Sequence, residues 1–303
     1  MSGGQGLQIT AVDYNTIRDK VISIIGSGTG QRGYNQPIVS SPVFPGNAIT
    51  KAQWDALRVD LLNISRHQTG VFAPLVEIAN QAVVGFGAGS PNTNYDTAID
   101  QYIVNRFHLG AGRSVVTSAA SQSRTGTWNV ESQCTLTVNF STADNARYFF
   151  NSGGKLRFTS SRTGGSALQQ NGAWSDLLNT SVGIVSFGAE APVAANFYTL
   201  TNSFQTVYSL NASTPYSANY FEIAALCNNS GGNNSTGTAS TVTFRITWRD
   251  NYVDSGPGVG PDDRVDGTLT INVEEVKATG PILPTGNFTI ASPTYTLSAI
   301  SAS

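Results

Sequence analysis

The chain has 303 residues, a formal net charge of −2 and 12% charged residues, against about 25% in ordinary globular proteins. Its length allows about two domains with sizeable cores, and its near-neutral charge excludes a basic surface for nucleic acid or an anionic membrane. Polarity comes instead from Ser, Thr, Asn, Gln and Gly, which suits a surface shared between subunits and, equally, a polar extracellular β-domain.

The N-terminus and the metal-binding residue types carry little signal. Residues 1–8 are polar and Gly-rich and lack the regions of a signal peptide, and no stretch approaches the length of a transmembrane helix. Two histidines and two distant cysteines form no metal-ligand cluster, so we expect neither a metal nor a cofactor. Cys134 and Cys227 are predicted to be buried thiols, although a disulfide between them stays open.

The first two helices are predicted from a phrase that occurs twice, as Ile9–Arg18 and as Ile49–Arg58. Thr10 and Thr50 are candidate N-caps, and the Asp or Gln three residues later approximates or completes a capping box. We interpret the phrase as a duplicated, capped, amphipathic helix.

The apolar residues of the two copies share one spacing. They are Tyr14, Ile17, Val21 and Ile24 in the first copy, and Trp54, Leu57, Leu61 and Ile64 in the second. Offsets of three, seven and ten residues place each set on one helical face. Because neither helix should be stable alone, we expect these stripes to pack on each other or on a partner.

Polar residues complete the two copies. Arg18 and Arg58 follow the apolar face at equivalent positions and are expected to pair with acidic groups of a neighbouring subunit. Gly26 is predicted to end the first helix, and Gln68–Gly70 to end the second. His67, together with the arginine before it, is expected to complement the C-terminal dipole of the second helix.

The linker Gly26–Gly46 is rich in Gly, Ser and Pro and predicts a loop, with a short strand at Pro37–Ser40. Within it, Gly28–Gly33 has the letters of a dinucleotide-binding motif. That motif requires a strand before it and a helix after it, and here a helix precedes it. We therefore predict a flexible loop at this position.

A third helix is predicted at Asp96–Phe107 from its apolar spacing, with His108 at its end. Gly110–Gly112 then marks the predicted boundary between two regions. These are an N-terminal helical-repeat docking region, residues 1–112, and a β-sandwich-like domain, residues 113–303.

Beyond this boundary the apolar period changes from 3.6 towards 2, the period of a strand. Strands are predicted at Cys134–Phe140, Lys155–Thr159, Val182–Phe187, Tyr220–Leu226, Thr241–Trp248, Thr268–Val276 and Tyr295–Ile300. Short helices are expected at Thr142–Phe150 and Ala173–Leu178. The predicted fold class is α+β, with duplicated amphipathic helices followed by a mainly antiparallel β-sandwich that carries short inserted helices.

Candidate groups for chemistry are few. Asp262–Gly267 suggests calcium, but its spacing does not fit an EF-hand loop, and we predict a solvated turn. Five glutamates could serve in glycoside hydrolysis, yet nothing in their spacing singles out a pair. They are Glu131, Glu190, Glu222, Glu274 and Glu275. Aromatic residues could line a sugar groove, but the apolar runs around Trp128, Trp174 and Trp248 favour a place in the core.

The segment Ala146–Phe158 predicts the end of a helix, an Asn-Ser-Gly-Gly turn and a strand. Phe149 or Phe150 should anchor the helix on the sheet, and Ser161–Gly165 should form a hairpin tip. A loop that contacts another subunit and an ordinary connection are both open interpretations of this segment.

Several of these phrases resemble virion structural proteins of tailed phages, most of all those of T4-like phages that infect cyanobacteria. The phrases are Asp13–Arg18, Gln53–Arg58, His67–Gly70 and Arg147–Lys155, and the resemblance extends to about Leu178. It implies a component of the tail, baseplate, neck or a fibre, assembled in the host cytoplasm and located in the virion. It carries over no catalytic residue.

We therefore expect a non-enzymatic structural protein that forms homo-oligomers and binds other virion proteins, with no nucleic acid and no membrane as partners. The residues expected to carry packing and assembly are Tyr14, Ile17, Arg18, Val21, Trp54, Leu57, Arg58 and Leu61. The alternatives are a carbohydrate-binding module that contacts a host-surface glycan, a particle-bound glycan hydrolase and a capsid decoration protein.

Overall fold

The computed structural model describes residues 9–27, 33–78, 91–190, 193–229, 237–253 and 264–302. The N-terminal part forms three helices, α1 (Ala11–Ile25), α2 (Lys51–Thr69) and α3 (Pro91–Val104). Most of the proposed dinucleotide-like loop, residues 28–32, lies outside the described residues.

Both α1 and α2 begin with a complete capping box. The amide of Thr10 donates to the Asp13 carboxylate at 2.8 Å, and the Thr10 hydroxyl accepts from the Asp13 amide. Thr50 and Gln53 make the same reciprocal pair, with the Thr50 amide 2.8 Å from Gln53 Oε1. Each box satisfies two backbone donors that the helix itself cannot satisfy. The start of each helix is therefore determined by two residues that are three positions apart.

Replacing Thr50 with alanine is expected to lower the free energy of unfolding by about 1 kcal/mol, because an N–H at the start of α2 loses its acceptor. Chemical denaturation measures the change. Thr50→Ser is the matched control and should retain most of the stability, since a serine hydroxyl can accept the same bond. Equal losses in the two variants would contradict this role for the hydroxyl.

The apolar faces of the three helices pack on one another. Tyr14 of α1 meets Trp54 of α2 edge to face, with ring centroids 5.3 Å apart, and Trp54 meets Tyr95 of α3 at 5.7 Å. Lys20 adds an ion pair from α1 to Asp96 of α3 at 2.9 Å. Helix α3 starts earlier than predicted because it begins at a proline, a favoured first residue, before its apolar pattern starts. It also ends earlier, at Val104.

The rest of the chain forms two antiparallel sheets, which confirms the predicted mixed class with inserted helices. One sheet has the order β1-β8-β3-β4, and its strands are β1 (Ser114–Thr125), β3 (Lys155–Thr163), β4 (Val185–Phe187) and β8 (Thr268–Ala278). The other has the order β10-β2-β7-β6-β5, with β9 also paired to β2. Its strands are β2 (Glu131–Asn139), β5 (Gln205–Asn211), β6 (Tyr220–Cys227), β7 (Thr241–Arg249), β9 (Thr294–Leu297) and β10 (Ser301–Ala302).

The two sheets pack face to face around an aromatic core. Strands β2 and β3 alternate strictly between buried and half-buried residues, as one-sided burial requires. Phe158 of β3 contacts Phe244 of β7 with ring centroids 5.0 Å apart, and the Trp248 indole N–H donates to Ser160 Oγ at 2.9 Å across the layers. Such aromatic pairs add about 0.5–1.5 kcal/mol each beyond the area they bury.

Two helices connect strands within the sandwich, α4 (Ala143–Asn151) and α5 (Gln169–Asp176). Phe149 and Phe150 of α4 are both fully buried, so both anchor this helix on the sheets as predicted for either of them. A π-helical turn, Leu177–Ser181, continues α5 and delays the next strand to Val185. The predicted strand Val182–Phe187 is therefore too long at its start.

Other predicted strands also need correction. No strand forms at Pro37–Ser40, because the backbone amides of Val39 and Ser40 donate to the Asp60 carboxylate, at 2.8 and 2.9 Å, and not to a neighbouring strand. The strand predicted at Tyr295–Ile300 is too long at its end, because β9 ends at Leu297 and β10 begins only at Ser301. Strands β1 and β5 were not predicted, because each lies at a sheet edge and lacks a clear apolar alternation.

Candidate functional site

The six apolar residues predicted for packing and assembly lie in the core of their own chain. Their exposed fractions are between 0% and 2%, and they are Tyr14, Ile17, Val21, Trp54, Leu57 and Leu61. They hold α1, α2 and α3 together, so a partner cannot reach them without opening the helices. Any assembly surface must therefore be sought elsewhere on the molecule.

The two repeated arginines bind segments of their own chain. Arg18 Nε donates to the Ser40 carbonyl at 3.1 Å, and Arg58 Nε donates to the Leu75 carbonyl at 3.2 Å. Arg58 also forms an ion pair with Glu77 at 3.1 Å. Each arginine thus holds the segment that follows its helix, and its pairing with a neighbouring subunit stays a prediction.

His67 lies at the centre of the junction between the helices and the sheets. Its ring stacks on Phe288 with centroids 4.3 Å apart, contacts Tyr34 at 4.8 Å, and places Nε2 3.0 Å from the Ser152 carbonyl. Burial, together with the positive charge of Arg113, lowers the pKa of His67 to about 3. The ring is therefore neutral at pH 7, and the prediction that it complements the dipole of α2 as a cation is wrong.

A close backbone contact stabilises the same junction. The amide of Gly110 donates to the His67 carbonyl at 2.9 Å, so the predicted boundary segment packs directly on the end of α2. A Cβ atom at Gly110 would lie 2.0 Å from the backbone nitrogen of Gly70, and only glycine permits this approach. The division at residue 112 stays a prediction, and the contacts across it are tight.

Two side-chain amides join the helical part to the C-terminal segment. Gln36 donates to the Thr289 carbonyl at 3.0 Å and accepts from its amide at 3.1 Å. Asn63 does the same with Leu283, at 3.0 and 2.8 Å. The cavity beside them, about 10 Å³ in volume, has room for no more than one water, so this junction is a structural contact and not a ligand pocket.

The acidic turn predicted to be solvated is built into the fold at Asp266. Its carboxylate accepts from the Ser166 amide at 3.0 Å and hydroxyl at 2.6 Å, from the Asn171 amide group, and from the buried Arg162 guanidinium at 3.4 Å. The hydrogen bond from the Ser166 hydroxyl lowers the pKa of Asp266. Asp262 and Asp263 lie outside the described residues, and the Asp266 oxygens already serve to hold the Ser166 turn.

The five glutamates considered for sugar hydrolysis each contact a different polar partner. The pairs are Glu131–Arg249 at 3.2 Å, Glu190–His108 at 3.6 Å, Glu222–Thr206 at 3.2 Å, Glu274–Arg157 at 2.5 Å and Glu275–Tyr295 at 2.7 Å. In the Glu190–His108 pair, the His108 side chain is half-exposed. Each of these contacts joins two segments of the fold, so these carboxylates have a structural role in the contacts described.

The two cysteines are free and buried, on β2 and β6. Burial raises the pKa of Cys134 and of Cys227 to about 12, so both are protonated thiols at pH 7 and poor nucleophiles. Within the described ranges, no group of three or more His, Cys, Asp or Glu side chains could hold a metal ion. None of the helices described has the length and apolar character that a membrane crossing requires.

A comparison with models of known protein families finds no match to this chain. A comparison with curated protein sequences finds no significant match either.

Proposed function

We propose that this protein is a non-enzymatic structural component of a tailed-phage particle, in its tail, baseplate, neck or a fibre, and that it acts by subunit assembly and attachment. The observation that carries the proposal is that buried polar and ionisable side chains connect separate segments of the chain and, among the described residues, form no site for a ligand. Asp60, His67 and Arg162 are buried, and each joins segments that lie far apart in the sequence. Such contacts hold the fold together, which suits a subunit of a particle. The resemblance of the sequence to phage virion proteins supports a phage particle as the assembly to which the protein belongs.

The helical part has features of a duplicated docking unit. Tyr14 and Trp54 hold the same position in the two phrases, and their rings meet at 5.3 Å. Equivalent residues meet in this way when two copies are related by an approximate two-fold axis. Arg18 and Arg58 also act alike, since each donates to a carbonyl just beyond its own helix. We therefore infer that α1 and α2 descend from one helical unit.

The outer face of the four-stranded sheet supports a role in contacts between subunits. Hydroxyl and amide side chains pair across β1 and β8, at 2.7 Å for Ser121 with Asn272 and 2.9 Å for Ser123 with Thr270. Thr125 and Thr268 continue the ladder at 2.8 Å. An uncharged, hydrogen-bonding surface of this kind suits the wet contacts of repeated copies.

The carbohydrate-binding alternative has weaker support. Indole rings are strong platforms for sugar stacking, and all four tryptophans are buried, at 3% exposure or less. Among the described residues, the exposed phenylalanines Phe44, Phe72 and Phe204 could reach a host-surface glycan. A glycan array probed with the chain and with Phe44→Ser and Phe72→Ser variants distinguishes this alternative, because only a receptor module would bind and lose binding.

The position of the chain in a phage particle tests the proposal. An antibody raised against the purified chain should label purified particles of the phage that encodes it, and cryo-electron microscopy should place the chain at the tail, baseplate, neck or fibre. Labelling of the capsid surface would favour a decoration protein. Absence of the chain from purified particles, checked by mass spectrometry, would remove the virion role.

A further inference from the structure

Strand β1 forms an open edge of its sheet. It is the outermost strand in the order β1-β8-β3-β4, and in the described part of the chain its ladder partner is β8. An edge of this kind presents backbone donors and acceptors that another strand can complete.

The hydrogen-bond pattern identifies the outward groups. The Thr279 amide donates to the Arg113 carbonyl at 2.9 Å, so these two opposed residues form a hydrogen-bonded pair at the start of the β1–β8 ladder. In an antiparallel ladder such pairs alternate, and the residues between them direct their N–H and C=O groups the other way. Ser114, Val116 and Ser118 therefore direct their backbone groups away from β8.

Among the described residues, the side chains of this part of β1 are exposed, and β9 is a further strand that approaches β1. All residues from Ser114 to Ser118 are exposed, including Val115 at 39% and Val116 at 44%. Edges are commonly protected by a charge, a proline or a bulge. Residues 114–123 contain neither a charge nor a proline, and the bulge at Ala119 lies beyond the exposed segment.

We propose that the segment Ser114–Ser118, the β1 edge segment, pairs antiparallel with the same segment of a second copy of this chain. The pairing is centred on Val116, with Ser114 opposite Ser118 of the second copy, and forms about six backbone hydrogen bonds. It joins the two four-stranded sheets into one continuous sheet across a two-fold axis. The proposal deepens the proposed function by naming the partner and the surface of assembly.

The chemistry of the segment favours a second copy over another occupant. An extended strand can satisfy the whole row of outward backbone groups at once, and β1 itself is an extended strand of twelve residues. A two-fold axis through Val116 places no charged side chains opposite each other, because the segment has none. It also brings the half-exposed Val116 against its own copy, which buries apolar surface in both.

Analytical ultracentrifugation of the purified full chain tests the pairing. We expect a dimer, and Val116→Lys should shift the equilibrium about tenfold or more towards monomer, because two ammonium groups would then face each other across the axis. Val104→Lys is the matched control, since Val104 is 70% exposed at the end of α3 and lies off the β1 edge. A monomeric parent chain, or a dimer that Val116→Lys leaves intact, would overturn the proposal.

Disulfide trapping tests the register. Val116→Cys should give a cross-linked dimer on oxidation, because opposed Cα atoms in a hydrogen-bonded pair lie about 5.5 Å apart, within the range of a disulfide. Ser123→Cys, on the same strand but away from the axis, should not cross-link. The native thiols are buried and do not interfere. Cross-linking through Ser123→Cys alone would overturn the proposed register.

The tests of the edge pairing use the purified chain, so their outcome is independent of the test for the chain in phage particles. A monomeric chain that is found in virions would overturn the edge pairing and leave the virion role intact. A dimer with the expected register that is absent from virions would overturn the virion role and leave the pairing intact.

Discussion

Replacing Asp266 with alanine is expected to lower the free energy of unfolding by about 3 kcal/mol, because it leaves the guanidinium of Arg162 buried without its counter-charge. Removing one partner of a buried ion pair costs roughly 3–5 kcal/mol, and the lower end applies because the Asp266 side chain is 25% exposed. The variant also removes the acceptor of the Ser166 amide and hydroxyl. Urea denaturation measures the loss.

A double variant separates the charge from the turn. In Asp266→Ala with Arg162→Met, no unpaired guanidinium remains, so the combined loss should be smaller than the sum of the two single losses. Additive losses, or a cost below about 1 kcal/mol for Asp266→Ala alone, would show that the pair does not hold this turn.

The stability of the protein should fall as the pH decreases from about 6.5 to about 3, and His67 should be the main cause. The folded pKa of His67 is about 3 and the usual value is 6.5, so the unfolded chain takes up the proton first across this range. The contribution of His67 is complete above pH 6.5 and is lost towards pH 3. The slope is about 1.4 kcal/mol per pH unit, or on the order of 4 kcal/mol across the range.

Thermal unfolding at several pH values tests this, with one variant at each histidine. His67→Gln should be less stable at pH 7 but should show a much flatter pH profile, since the amide does not titrate. His108→Gln, at the other and half-exposed histidine, should keep the slope of the parent. Burial raises the pKa of Asp60, which acts in the opposite direction near pH 4, so the slope is best measured between pH 5 and 6.5. A flat profile in His108→Gln alone would contradict the assignment.

The two sites, at His67 and at Asp266, have one feature in common. The groups with the greatest effect on stability lie where distant segments meet, at the end of α2 and at the turn beside β8. The proposed assembly role relies on such junctions for cohesion and on the β1 edge for the contact between copies.

The sequence by itself determined the features that short stretches of chain decide. The capping boxes at Thr10 and Thr50 involve residues three apart, and the apolar spacing of α1 and α2 repeats within two turns. The alternation in β2 and β7 likewise predicts a strand with one buried face, and the burial of Trp248 follows from it. Local hydrogen bonds and periodicity are visible without knowledge of any distant residue.

Only the tertiary structure decided which distant groups meet. Asp60 takes the amides that a predicted strand at Pro37–Ser40 would have used, and His67 is neutral because the C-terminal Phe288 covers it. Strand β1 has no apolar alternation, since an edge strand that overhangs the core is exposed on both faces. The pKa of a side chain and the pairing of an edge depend on neighbours that come from anywhere in the chain, and no local pattern encodes them.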